Sequence, residues 1–84
     1  MAAIIYLSPG EQMPSRGEDE PWLIVEASED GRFFGSGAAC NRSGEWVGYG
    51  SLPENDGALA DALAAAKRWA DRYSVPVIWV QTTP

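Results

Sequence analysis

The sequence predicts an α+β fold in which a mixed sheet of four or five strands carries one amphipathic helix on one face. Strand-like segments joined by short glycine-containing turns fill residues 22–51, one segment with helical periodicity covers residues 55–73, and a nearly continuous apolar run covers residues 75–82. A chain of 84 residues has room for one hydrophobic core, so we expect a single domain over residues 1–84.

The chain begins with a predicted strand and a long connection. The run AIIYL at residues 3–7 is apolar and ends at Ser-Pro-Gly, which favours a short strand over a helix. Residues 8–21 contain three prolines, two glycines and no apolar period, and we expect them to form a flexible acidic loop. Such a loop either serves as a binding arm or is a solvated connector.

Residues 22–51 predict a three-stranded β-meander. Asp30-Gly31 is typical of a two-residue type I′ turn, and residues 41–44 are typical of a second turn. The length of each turn determines which residues face each other across the strands. The predicted neighbours are Ala27 with Phe34, Val25 with Ser36, Leu23 with Ala38, Ala38 with Val47, and Ser36 with Tyr49.

The helix is predicted from an apolar stripe at three- and four-residue spacing, with Asn55 or Asp56 as its N-cap. The stripe consists of Leu59, Ala62, Leu63, Ala66, Trp69, Ala70 and Tyr73. The apolar run that follows predicts an interior strand, parallel to the strand that holds Trp46. We therefore expect this last strand to lie between the Trp22 strand and the N-terminal strand, which forms the far edge.

On the predicted register, glycines and aromatic residues meet on the sheet face away from the helix. Glycine inside a strand costs roughly 0.5 to 1 kcal/mol relative to alanine and often marks the close approach of another group. Three readings follow: tryptophan rings cover the glycines, the face binds a protein, or it stacks on a sugar or another flat ligand. The candidate interface consists of Trp22, Ile24, Phe33, Gly35, Gly37, Trp46, Gly48 and Gly50.

This prediction depends on the register of the strands. Side chains alternate between the faces of a sheet, so a slip of one residue moves a strand's side chains to the other face. The glycines would then face the helix, and the alanine-rich helix could pack close to the sheet.

Composition restricts the classes of function. The net charge is −6, which argues against direct binding of nucleic acid, and no apolar stretch is long enough to predict a membrane span. The chain has no histidine and one cysteine, Cys40, so it lacks the histidine-dependent catalytic arrangements and cannot form an internal disulfide. We expect a cytoplasmic protein that needs no cofactor. Its bias towards arginine, alanine and glycine is typical of bacterial or phage genomes.

The order of hairpin, third strand, helix and strand over residues 22–82 is similar in outline to half of a ribonuclease H-like domain. The resemblance is topological, and it implies that carboxylates on the first strand, the helix and the fourth strand hold metal ions. Glu26 and Asp61 match the first two positions and are the weak metal candidates, whereas Gln-Thr-Thr at residues 81–83 leaves the third without a carboxylate.

These observations predict a small non-enzymatic domain that binds a protein partner or itself, with a homodimer as one form, through the Trp22/Trp46 face. A degenerate or metal-dependent ribonuclease H-like enzyme is one alternative. An acidic inhibitor of a nucleic-acid-binding protein is the other, since an acidic surface can occupy a basic site.

Overall fold

The computed structural model describes residues 2–14, 20–50 and 58–83, and within them it is an α+β fold with five strands and one helix. The strands contain mainly apolar and β-branched residues, and the helix follows the predicted alanine-rich stripe. The elements are β1 (Ala3–Tyr6), β2 (Trp22–Ala27), β3 (Phe33–Cys40), β4 (Trp46–Gly50), α1 (Leu59–Tyr73) and β5 (Val77–Gln81).

The five strands form one sheet in the order β1-β5-β2-β3-β4, which confirms the predicted order. Strand β5 is parallel to both of its neighbours, whereas β2, β3 and β4 form an antiparallel meander. The interior position explains the apolar sequence of β5, in which Ile78 and Val80 are fully buried.

Helix α1 packs on one face of the sheet through small side chains. Ala62, Ala66 and Ala70 are buried against Leu23 and Val25 of β2, and the larger members of the stripe pack around them. The predicted stripe is therefore confirmed. The helix begins at Leu59 after Ala58, which makes no side-chain cap; the predicted caps at residues 55 and 56 lie outside the described residues.

The first turn of the meander is a three-residue loop, so the predicted two-residue turn is wrong. The Ser28 N–H donates to Arg32 O at 2.7 Å, and the Gly31 N–H donates to Ser28 O at 3.1 Å. Gly31 has a φ of +84°, whereas Asp30 is not among the residues with positive φ. A type I′ turn needs positive φ at both central residues, and a three-residue loop needs it only at the last.

The second turn repeats this arrangement. The Asn41 N–H donates to Glu45 O at 2.8 Å, and Gly44 has a φ of +88°. The Asn41 side-chain oxygen accepts from the N–H groups of Ser43 and Glu45, each at 3.0 Å. Serine or asparagine in the first position with glycine in the fourth is the composition of a type I turn, so the sequence did contain this signal.

The Asp30 carboxylate stabilises the first loop. It accepts hydrogen bonds from the Ser28 hydroxyl and, at 3.1 Å, from the Arg32 N–H. These bonds, that from Ser28 first, lower the pKa of Asp30 below 3.8 because they favour the ionised form. Their contribution to stability is present above the unfolded-state pKa and is lost as the pH falls through the lowered folded-state pKa.

The first loop is one residue longer than predicted and the second is one residue shorter, so each pairing of β3 shifts by one residue. Leu23 pairs with Gly37 where the prediction was Ala38, and Gly37 pairs with Tyr49 where the predicted register implies Gly48. The two shifts add to two residues between β2 and β4, and a shift of two keeps a strand on its face, so only the middle strand presents the opposite face from the one predicted.

This shift corrects part of the candidate interface. Phe33, Gly35 and Gly37 lie on the face that carries the helix, and their predicted place on the other face is wrong. The remaining candidates keep their predicted face, and they are Trp22, Ile24, Trp46, Gly48 and Gly50.

The described part of the predicted loop, residues 8–14, is attached to the end of the sheet. The Gln81 amide nitrogen donates to Ser8 O at 2.9 Å and to Glu11 O at 2.7 Å. Gln81 is only 8% exposed, and these bonds satisfy a side chain that would be costly to bury without partners. Acidic residues 18 and 19 of the predicted loop lie outside the described residues.

Candidate functional site

The candidate site is the face of the sheet opposite α1, which we call the open face. Among the described residues no helix packs on it, because α1 packs on the other side against the buried core. Alternation along the paired strands places the following residues on the open face: Ala3, Ile5, Trp22, Ile24, Glu26, Phe34, Ser36, Ala38, Cys40, Trp46, Gly48, Gly50, Val77, Trp79 and Gln81.

The two glycines of β3 are explained by packing on the helix side. A Cβ added at Gly37 would lie 2.5 Å from Trp22 O and 2.9 Å from Leu23 Cδ1, and one at Gly35 would lie 2.7 Å from Tyr49 Cε2. Such distances are too short for a side chain. These glycines therefore admit neighbouring groups of the same chain, and Tyr49 covers Gly35 in the way an aromatic ring covers a strand glycine.

The two glycines of β4 have no such explanation within the described residues. A Cβ at Gly48 would meet only Gly37 O at 4.0 Å, and one at Gly50 would meet nothing within 4 Å. Neither glycine has a positive φ. Both are exposed strand positions that a residue with higher β propensity could occupy without a clash.

Small side chains next to these glycines form a shallow floor beside a large aromatic residue. Gly48 pairs with Ala38 and Gly50 pairs with Ser36, so the open face is almost flat at these positions of β3 and β4. Trp46, at the start of the same strand, is 44% exposed. A flat uncharged floor beside an exposed indole is typical of a contact surface.

The opposite end of the open face is partly covered. Ile24 is only 8% exposed although no helix packs on its face, since Trp79 is its neighbour on β5 and the segment held by Gln81 passes beside it. Half-buried Met13 lines a cavity of about 280 Å³ together with Ile24 and Glu26. The segment therefore covers the part of the open face around Ile24 and leaves Trp46, Gly48 and Gly50 exposed.

The two weak metal candidates are not brought together. Glu26 lies on the open face, whereas Asp61 is in the first turn of α1 on the other side of the sheet. One metal ion cannot bind both side chains through the sheet. In residues 2–14, 20–50 and 58–83, no group of three carboxylate, thiol or imidazole side chains could hold a metal ion.

Several residues of the open face were missed in the sequence analysis. Phe34, Ser36 and Ala38 replace the three misplaced residues of β3, and the type I composition of both turns was the signal for this register. Trp79 and Ile5 extend the face across β5 and β1, which alternation along those strands would have indicated.

Comparison with known proteins identifies no relative of this chain. It has no significant match among protein families, curated proteins or solved structures. Within the described residues, no helix is both long and apolar enough to cross a membrane. The function must therefore be argued from the site.

Proposed function

We propose that this protein is a non-enzymatic domain that associates with a second copy of itself through the open face. The observation that supports this most directly is the uncovered floor of Gly48 and Gly50 beside the exposed Trp46. Tryptophan is among the residues that contribute most to binding at protein interfaces, and it does so where it enters a space that excludes water.

The distribution of charge favours a self-contact at this end of the open face. Trp22, Ala38, Trp46 and Gly48 carry no ionisable group, although the whole chain has a net charge of −6. Two copies repel each other at long range, and an apolar contact must overcome that repulsion. Added salt screens the repulsion, so we expect association to persist or to strengthen at high salt.

The test is absolute mass by light scattering after size exclusion, over a hundredfold range of protein concentration, at low and at high salt. We expect a shift from monomer to dimer with concentration that salt does not reverse. Association that salt abolishes, or a monomer under all conditions, would contradict the proposal. An acidic inhibitor would instead show salt-sensitive binding to a basic partner.

A matched pair of variants locates the contact. Trp46 and Ile5 are similarly exposed, at 44% and 40%, and both lie on the open face at opposite edges of the sheet. We expect Trp46→Ser to weaken dimerisation and Ile5→Ser to leave it unchanged. Equal effects of the two variants would argue against a contact centred on Trp46.

A further inference from the structure

Strand β4 has a free outer side within the described residues, since the sheet ends there in the order β1-β5-β2-β3-β4. Facing residues of two antiparallel strands alternate between hydrogen-bonded and non-hydrogen-bonded pairs. Counting from the bonded pair that closes the second hairpin, Val47 and Tyr49 bond to β3. The backbone N–H and C=O groups of Trp46, Gly48 and Gly50 therefore point outward, away from the sheet.

The strand that carries these outward groups lacks the features that usually prevent an edge strand from pairing with another strand. Natural sheets protect their edges with charged side chains, proline or bulges, because an open edge binds another strand. The segment Trp46–Gly50 reads WVGYG and contains none of these residues, and its pairing with β3 is regular.

We infer that a second copy of this chain binds along the outer side of β4, antiparallel, with the twofold axis at Gly48. Outward-facing residues can bond only to outward-facing residues, and this register pairs all three of them: Gly48 with the second copy's Gly48, and Trp46 with the second copy's Gly50 in both directions. The inference rests on the proposed self-association and states its geometry.

The side chains of the strand are self-complementary in this register. Residues paired across antiparallel strands share a face, so each Trp46 lies beside the empty position over the second copy's Gly50. The chain already uses this arrangement within its own sheet, where the Tyr49 ring lies over Gly35. On the helix side, Val47 faces the second copy's Tyr49, an aromatic and β-branched pair that stabilises sheets.

Disulfide cross-linking tests the register directly. In a background in which the one cysteine is removed, Cys40→Ser, we expect Gly48→Cys to form a covalent dimer under mild oxidation, because paired Cα atoms about 5.5 Å apart suit a disulfide. Gly50→Cys is the matched control, since its two copies would lie about 13 Å apart along the strands, beyond disulfide reach.

Proline substitution tests the backbone pairing by a second route. The Gly48 N–H points outward, so Gly48→Pro removes no hydrogen bond to β3 and is tolerated at an edge. It prevents the hydrogen bonds at the twofold axis. We therefore expect the dissociation constant of the dimer to rise by about tenfold or more. Gly48→Ala keeps the N–H and is expected to dimerise more tightly than Gly48→Pro.

The outcomes separate this inference from the proposed function. A chain that dimerises by mass but shows no Gly48→Cys cross-link, or equal cross-linking at position 50, overturns the edge pairing and leaves self-association standing. Face-to-face packing would give that result, because stacked sheets lie about 10 Å apart. A chain that stays monomeric overturns both.

Discussion

At the scale of single residues, glycine occupies different positions of the same meander for different physical reasons. Gly37 lies where Trp22 O and Leu23 leave no room for a Cβ, whereas Gly50 has open space above it. Gly31 has a positive φ because the hairpin loop requires it. Among the described residues of the meander, only Gly48 and Gly50 lack such a reason, and the proposed contact is therefore centred on them.

A pair of alanine substitutions distinguishes these reasons. Gly37→Ala places a Cβ 2.5 Å from a backbone oxygen, and we expect it to lower the free energy of unfolding by about 1–3 kcal/mol. Gly50→Ala meets nothing and is expected to be neutral or to stabilise by roughly 0.5–1 kcal/mol.

Chemical denaturation at a concentration where the chain is monomeric measures both effects. Equal stability of the two variants would show that the close approach at Gly37 does not constrain the sheet.

At the scale of elements, the lengths of two hairpin loops decide what the open face contains. One residue more in the first loop and one fewer in the second turn the β3 glycines towards the helix and bring Ser36 and Ala38 to the open face. Ala39 of β3 is buried in the same core cluster as Ala62, Ala66 and Ala70 of the helix. Small side chains therefore form much of the contact between the helix and the sheet.

The close packing of α1 predicts a strong dependence on side-chain volume. Ala66 is fully buried against the sheet, and we expect Ala66→Leu to lower the free energy of unfolding by about 1–3 kcal/mol because the added atoms have no space. Ala64→Leu, on the exposed side of the same helix, is the control and should change stability little. Thermal denaturation of both variants is the measurement, and similar melting temperatures would contradict the packing.

At the scale of the whole molecule, one buried amide joins the two ends of the chain. Gln81 in the last strand donates to two carbonyl oxygens of the segment that follows the first strand, 73 and 70 residues away in sequence. The segment is thereby positioned beside Ile24 and Glu26 and covers that part of the open face.

Removing this amide should release the segment. We expect Gln81→Ala to lower the free energy of unfolding by about 1–3 kcal/mol, the sum of two ordinary hydrogen bonds, and to speed amide hydrogen exchange in residues 8–14. The exposed neighbour Thr82→Ala is the control. Unchanged exchange in the Gln81 variant would show that other contacts hold the segment.

The sequence alone determined the α+β class, the order of the strands, the helix stripe and the interior place of β5. These follow from local periodicity and from the short connections between elements, both of which can be read along the chain. It also placed Trp22, Ile24, Trp46, Gly48 and Gly50 on one face of the sheet, where the structure has them.

Only the tertiary structure decided which residues of β3 join them and which part of the face is accessible. Two-residue and three-residue turns have overlapping compositions, yet they differ by one residue in register, and one residue reverses the face of a strand. The hydrogen bonds from Gln81 to Ser8 and Glu11 join residues that are distant in sequence, so no local pattern predicts them. Local rules therefore determine the elements of this protein, and the contacts between them determine its surface.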